Sequence, residues 1–130
     1  MKLECPELGI YQLATEELIE TVISRIKPIE NAFVILGKND MEYLQALSTQ
    51  NGFVIQFQLG ALDKHYEFNI LVSRPKAIEI FQAYMQGNNQ WSSVYPYSKV
   101  NVYGFWGKAG YLLGKLLGAI IKLLGIKVKA

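Results

Sequence analysis

The stretch TQNGFVIQFQLGALDKHYEFNILV (residues 49–72) decides the fold of this 130-residue chain. Its Asn51–Gly52 pair is the strongest short-range signal for a β-hairpin turn. The apolar residues that follow the turn recur at every second position, at Phe53, Ile55, Phe57 and Leu59 and again at Tyr66, Phe68, Ile70 and Val72. Polar residues fill most of the positions between them. This alternation is typical of antiparallel strands covered on one side.

Two amphipathic helices are predicted on either side of this region. Thr15 suits the N-cap of a helix over residues 15–27, which Pro28 ends. Ser73 and Gly87 suit the two ends of a second helix over residues 74–86, whose apolar stripe should cover the apolar side of the sheet. The segments AFVILG (32–37) and MEYLQALS (41–48) predict further strands. We therefore expect an α+β domain over residues 1–103, with an antiparallel sheet of about four strands and helices packed on one face.

Residues 104–130, the tail, differ from the domain in charge and composition. The tail carries five lysines and no acidic residue, whereas residues 1–99 hold eight basic and eleven acidic residues, a net charge of −3. On a helical wheel, the lysines spaced seven apart form a narrow line beside a stripe of glycines and a wide apolar arc. The pattern predicts an amphipathic helix. The residues expected to contact a membrane or a docking surface are Trp106, Lys108, Leu112, Lys115, Leu116, Ile120 and Lys122.

Three roles remain open for this tail helix. It could span a bilayer, because residues 105–126 are long enough, with Lys115 near the middle. It could lie on an anionic membrane surface through residues 104–126, with lysines toward the headgroups. It could also dock on its own domain or on a second copy of the chain, forming a homodimer. Each glycine costs a helix about 0.8–1 kcal/mol, so the tail helix needs an apolar surface to lie against.

Composition argues against several other classes of protein. The single Cys5 can form no internal disulfide and no zinc site, and the N-terminus does not read as a signal peptide. A cytoplasmic location is expected, with peripheral attachment to the inner membrane as the alternative. No catalytic motif surrounds the only histidine, His65, and the row Asp63, His65 and Glu67 lacks a second histidine. We expect no enzymatic activity, no cofactor and no metal, and no nucleic-acid partner because the tail has no arginine.

The polar residues that alternate with the apolar ones define a candidate partner-binding surface. If the hairpin register holds, its members project to the same side of the sheet: Tyr43, Gln45, Gln56, Gln58, His65, Glu67 and Asn69. Amide side chains donate and accept hydrogen bonds, which suits the recognition of another protein. The alternative is a plain solvated face with no partner.

The order of these features resembles a group of small bacterial proteins similar to immunity proteins of polymorphic-toxin systems. The resemblance covers residues 32–91 and rests mostly on core and turn positions: Phe33, Leu36, Tyr43, Gln45, Gly52, Phe53, Gly60, His65, Tyr66, Phe81, Tyr84, Gly87 and Trp91. It implies a non-enzymatic protein that neutralises a toxin by binding it. It does not extend to the tail.

Overall fold

The computed structural model describes residues 1–29 and 32–100. The strands are β1 (Lys2–Cys5), β2 (Gly9–Tyr11), β3 (Phe33–Asn39), β4 (Glu42–Thr49), β5 (Gly52–Leu59), β6 (His65–Phe68) and β7 (Tyr97–Lys99). The helices are α1 (Glu16–Arg25) and α2 (Arg74–Gln86), and a short 3₁₀ helix covers Asn89–Ser93. All strands form one antiparallel sheet in the order β2-β1-β3-β4-β5-β6-β7.

The predicted α+β fold with an antiparallel sheet is confirmed, but the predicted number of strands was too low. The sheet has seven strands among the described residues, and prediction missed β1, β2 and β7. Each of these has only three or four residues. A strand of that length places at most two side chains on a face, so it gives no visible alternation.

The hairpin of β4 and β5 forms at the Asn51–Gly52 turn. Thr49 Oγ1 accepts a hydrogen bond from Asn51 N at 3.2 Å and donates one to Gly52 O at 2.7 Å. Gly52 has a φ of +143°, and a Cβ there would lie 2.9 Å from Val72 O. Only glycine fits this position without a backbone shift. The turn pairs Ala46 with Ile55, which sets the register of the central strands.

The helix ends follow the sequence signals. Thr15 Oγ1 accepts from Leu18 N at 3.1 Å at the start of α1, and Ser73 Oγ accepts from Lys76 N at 3.3 Å at the start of α2. Gly87 ends α2 in the left-handed conformation, with a φ of +78°. These caps satisfy backbone groups that the helices leave unpaired.

Both helices pack on one side of the sheet, which we call the first face. It is apolar, and its buried strand residues include Leu3, Val34, Leu36, Leu44, Ala46, Ile55 and Phe57. The Phe57 ring lies edge-on to the Trp91 ring at 4.9 Å, and Trp91 in turn contacts the Tyr84 ring at 5.1 Å. Trp91 therefore anchors the segment after α2 to the core.

The predicted tail helix, with its seven contact residues, lies outside the described residues. Within residues 1–29 and 32–100, neither α1 nor α2 is long and apolar enough to cross a membrane. The division of the chain into a domain of residues 1–103 and a tail of residues 104–130 stays a prediction.

Candidate functional site

The opposite side of the sheet, which we call the second face, carries the predicted polar residues. Gln45 lies opposite Gln56, which lies opposite Glu67 on the next strand. One step along the strands, Tyr43 lies opposite Gln58, which lies opposite His65. Directly paired residues of antiparallel strands share a face, so six of the seven predicted residues come together. Asn69 follows β6, where it is exposed and accepts a hydrogen bond from Ser98 Oγ at 2.8 Å.

Hydrogen bonds join these six side chains into a polar network. Tyr43 Oη donates to Gln58 Oε1 at 3.2 Å, and Gln45 Nε2 donates to Gln56 Oε1 at 2.6 Å. Gln56 Nε2 donates to the Glu67 carboxylate at 2.8 Å. Gln58 Nε2 donates to Met41 O at 3.2 Å. The polar network, defined as Tyr43, Gln45, Gln56, Gln58, His65 and Glu67, thus crosses β4, β5 and β6.

His65 connects the two rows of the polar network. Its Nδ1 lies 3.2 Å from Gln58 Oε1 and its Nε2 lies 3.3 Å from Gln56 Oε1. Burial lowers the pKa of His65 to about 4, so the imidazole is neutral at neutral pH. A neutral imidazole donates only one hydrogen bond, and its other nitrogen accepts one. The protonation state of His65 is therefore coupled to the amide orientations of Gln56 and Gln58.

The polar network is buried, which sequence alternation did not predict. Tyr43, Gln45, Gln56, Gln58 and His65 are each between 2 and 7% exposed, although both helices pack on the first face. The expected solvent- or partner-facing His65 is thus a buried histidine in this structure. Glu67 is half-buried and Asn69 is exposed, so the network can be reached from solvent mainly at the β6 edge.

Among the described residues, one buried hydrogen-bonding atom of the network has no partner. Gln45 Oε1 is buried and accepts no hydrogen bond from the part of the chain that the structure describes. A buried unpaired acceptor costs about 1–3 kcal/mol, and native proteins contain few of them. The atom therefore offers an acceptor that a further donor could satisfy.

Sequence reasoning missed the residues that extend the second face beyond β4. Ile35 lies opposite Gln45 on β3, and Glu4 lies opposite Ile35 on β1. Glu4 is buried, and its Oε1 pairs with Lys2 Nζ at 2.5 Å. A cavity of about 250 Å³ opens beside them, lined by Lys2, Glu4, Ile35, Gly37, Lys38, Asn39, Asp40 and Tyr43. The sequence did not indicate that Glu4 belongs to this face, because β1 has only four residues and shows no alternation.

The chemistry of the site is hydrogen bonding. Burial raises the pKa of Tyr43 to about 12, so its hydroxyl stays protonated and donates. Burial also raises the pKa of the Cys5 thiol, which lies in the apolar core, so it is a poor nucleophile. Within the described residues, no three His, Cys, Asp or Glu side chains form a group that could hold a metal ion. Asp63 is exposed in the turn before β6, whereas His65 is buried.

The comparisons with known proteins add no relative to this description. No family model, no curated protein and no solved structure matches the chain. The resemblance to immunity proteins therefore stays a prediction. We infer a function from the second face and from the sequence of the tail.

Proposed function

We propose that this protein is a non-enzymatic bacterial binding protein of the immunity type, which neutralises a toxin by direct contact through the second face. The observation that carries this proposal is the polar network across β4, β5 and β6. Its three glutamines present both donors and acceptors, and Gln45 Oε1 is free to accept from a residue beyond the described ones. A desolvated set of hydrogen-bonding groups at fixed positions favours one partner over others.

The surroundings of His65 support a binding role over a catalytic one. Both of its ring nitrogens face glutamine amide oxygens. A general base for a serine or cysteine needs one ring nitrogen directed at that nucleophile. With a pKa of about 4, His65 is also a weak base at neutral pH. The side chain orients its neighbours, which is the role expected in a recognition surface.

Partner capture with matched variants tests the proposed surface. The full chain is used as bait in an extract of its host, and captured proteins are identified by mass spectrometry. Asn69→Arg places a large charge at the exposed edge of the second face, and Gln82→Arg makes the same change on helix α2, on the opposite side. We expect the partner to be captured by the wild type and by Gln82→Arg, and lost with Asn69→Arg.

A growth assay then tests neutralisation. The captured partner is expressed in a bacterial host alone and together with each bait. We expect the partner alone to stop growth, and the wild type and Gln82→Arg to restore it. A partner without toxicity, or a partner lost with Gln82→Arg and retained with Asn69→Arg, contradicts the proposal.

A second candidate function is membrane association through the tail, proposed as an amphipathic helix over residues 104–126. The charge distribution favours it, since five lysines and no acidic residue follow a domain of net charge −3. Each lysine near an anionic bilayer contributes about 1 kcal/mol. Full-length protein is sedimented with anionic and with neutral vesicles, beside a chain in which Lys108, Lys115 and Lys122 are each replaced by Glu. Membrane association predicts binding to anionic vesicles that the triple variant loses, and equal partition of both chains contradicts it.

A further inference from the structure

We propose that residues 104–126 of the tail dock on the second face of their own chain and cover the polar network. This assigns the tail an intramolecular partner surface, formed by β3, β4, β5 and β6. Burial, the point where the described chain ends, and charge support it independently.

The burial of the second face requires a cover. Gln45, Gln58 and His65 are each 2% exposed, yet α1, α2 and the 3₁₀ helix pack on the first face. On an uncovered sheet, side chains of this length keep part of their surface in contact with water. The burial is also uneven, because Leu47 and Val54 at the other end of the same face are only half-buried. The cover therefore lies over the Tyr43, Gln58 and His65 end.

The described chain ends at that same end of the sheet. β7 is an edge strand in which Ser98 lies opposite Glu67, and Val100 N donates to His65 O at 2.8 Å. The described part of the chain thus ends beside His65. From there the four strands β6 to β3 span about 15–20 Å at a spacing of about 4.8 Å. A helix of residues 106–124 is about 28 Å long and can cross all four.

The chemistry of the two surfaces is complementary. The second face offers buried Ile35 to the apolar arc of the tail. It carries the carboxylate of Glu67, and the Glu4 carboxylate on the same face already pairs with Lys2. The tail brings five lysines and no acid. Its glycines would allow a helix backbone to approach a sheet closely. They also lower the helix propensity of the tail, so an isolated tail helix would be unstable in water. Because the tail and the second face belong to one chain, the effective concentration of the tail at that face is in the millimolar range.

The docking itself does not depend on the proposed function, because it rests on burial, chain path and charge.

Paramagnetic broadening in the full-length chain tests the docking. A nitroxide is attached to Lys122→Cys, and the native Cys5 does not compete because its thiol is fully buried. The side-chain amide signals of Gln45, Gln56 and Gln58 are recorded in the ¹⁵N spectrum. We expect these signals to lose most of their intensity, while the backbone amides of α1 keep theirs. As the matched control, a nitroxide on Glu20→Cys, exposed on α1, should give the reverse pattern.

Three outcomes overturn the proposal. The glutamine signals keep their intensity, or the signals of α1 are lost instead, or the loss appears only after anionic vesicles are added. A mixture of nitroxide-labelled chains without ¹⁵N and unlabelled ¹⁵N chains distinguishes a second copy. Broadening of the three glutamines in that mixture means that the tail docks between chains, and it also overturns the proposal.

A second variant tests the contact surface of the tail. Leu112→Asp and Leu116→Asp are introduced together into the Lys122→Cys chain, which leaves the domain unchanged. We expect the glutamine signals to recover the intensity of the unlabelled protein. Persistent broadening shows that the apolar arc is not the contact, and it overturns the docking as proposed.

Discussion

The two faces of the sheet come from the same strands but are held by different interactions. On β5, Ile55 and Phe57 enter the apolar core under the helices, while Gln56 and Gln58 between them enter the polar network. The first face gains stability from burying apolar area, whereas the second must satisfy each polar group that it removes from water. A slip of one residue in register would exchange the two sets. The polar network therefore helps to specify the register as well as a binding surface.

The largest effect is expected from a cavity in the first face. Phe57 is buried among the rings of Trp91, Tyr66, Phe68 and Tyr97 at 4.9–5.6 Å. Phe57→Ala should lower the free energy of unfolding by about 3–5 kcal/mol, measured by urea denaturation. Leu59→Ala, on the same strand at an exposed position, is the matched control and should cost less than about 1 kcal/mol. Equal losses in the two variants contradict the assignment of the core.

The next effect comes from breaking the polar network at its centre. Gln56→Leu removes the partners of Gln45 Nε2, of the Glu67 carboxylate and of one His65 nitrogen. We expect a loss of about 2–3 kcal/mol by urea denaturation, because buried polar groups are left unpaired.

The double variant Gln45→Leu, Gln56→Leu is the control for this mechanism. It removes both members of one hydrogen bond, so its cost should be smaller than the sum of the two single variants. Additive costs would mean that the two side chains contribute independently, without the hydrogen bond between them.

The third effect depends on pH and again belongs to the second face. The pKa of His65 is about 4 in the folded chain and about 6.5 in the unfolded chain, so the unfolded chain binds the proton first as pH falls. The contribution of the buried, neutral His65 to the free energy of unfolding is complete above pH 6.5. It is lost as the pH falls from 6.5 to 4. From pH 7 to pH 5 the free energy of unfolding should fall by about 2 kcal/mol. The variant His65→Asn should lack this loss. An equal pH dependence in the wild type and the variant contradicts the assignment of the loss to His65.

The smallest effect is expected from an ion pair on the surface of α2, above the first face. Lys76 Nζ lies 2.9 Å from Glu79 Oε2 with both side chains in solvent. Glu79→Gln should change the free energy of unfolding by less than about 0.5 kcal/mol, because solvent screens the pair. A loss comparable to that of Gln56→Leu would mean that exposed and buried polar contacts stabilise this fold equally.

The central fold could be predicted from the sequence because its signals are local. The Asn51–Gly52 turn and the alternation after it specify the hairpin of β4 and β5, and Thr15 and Ser73 specify the helix starts. The short edge strands β1, β2 and β7 could not be predicted, since pairing with their neighbours holds them rather than any pattern of their own.

The sequence predicted which residues form the candidate site, but it did not predict that they are buried. Alternation and register predict that Gln45, Gln56, Gln58 and His65 share one face. The cross-strand pairs in the structure agree with this. Alternation says which side chains share a face, but it says nothing about what lies over that face. Polar residues were therefore expected at a surface, and the structure places most of them out of contact with water.

Exchange of the glutamine side-chain amide protons tests most directly whether the second face is buried in the full-length protein. The Nε2 protons of Gln45, Gln56 and Gln58 can be compared in one spectrum with those of Gln50 and Gln90, which are exposed. The burial and hydrogen bonds of the polar network predict exchange at least about tenfold slower for the first three. Equal exchange rates for all five would show that the second face is solvated, and they would contradict the account.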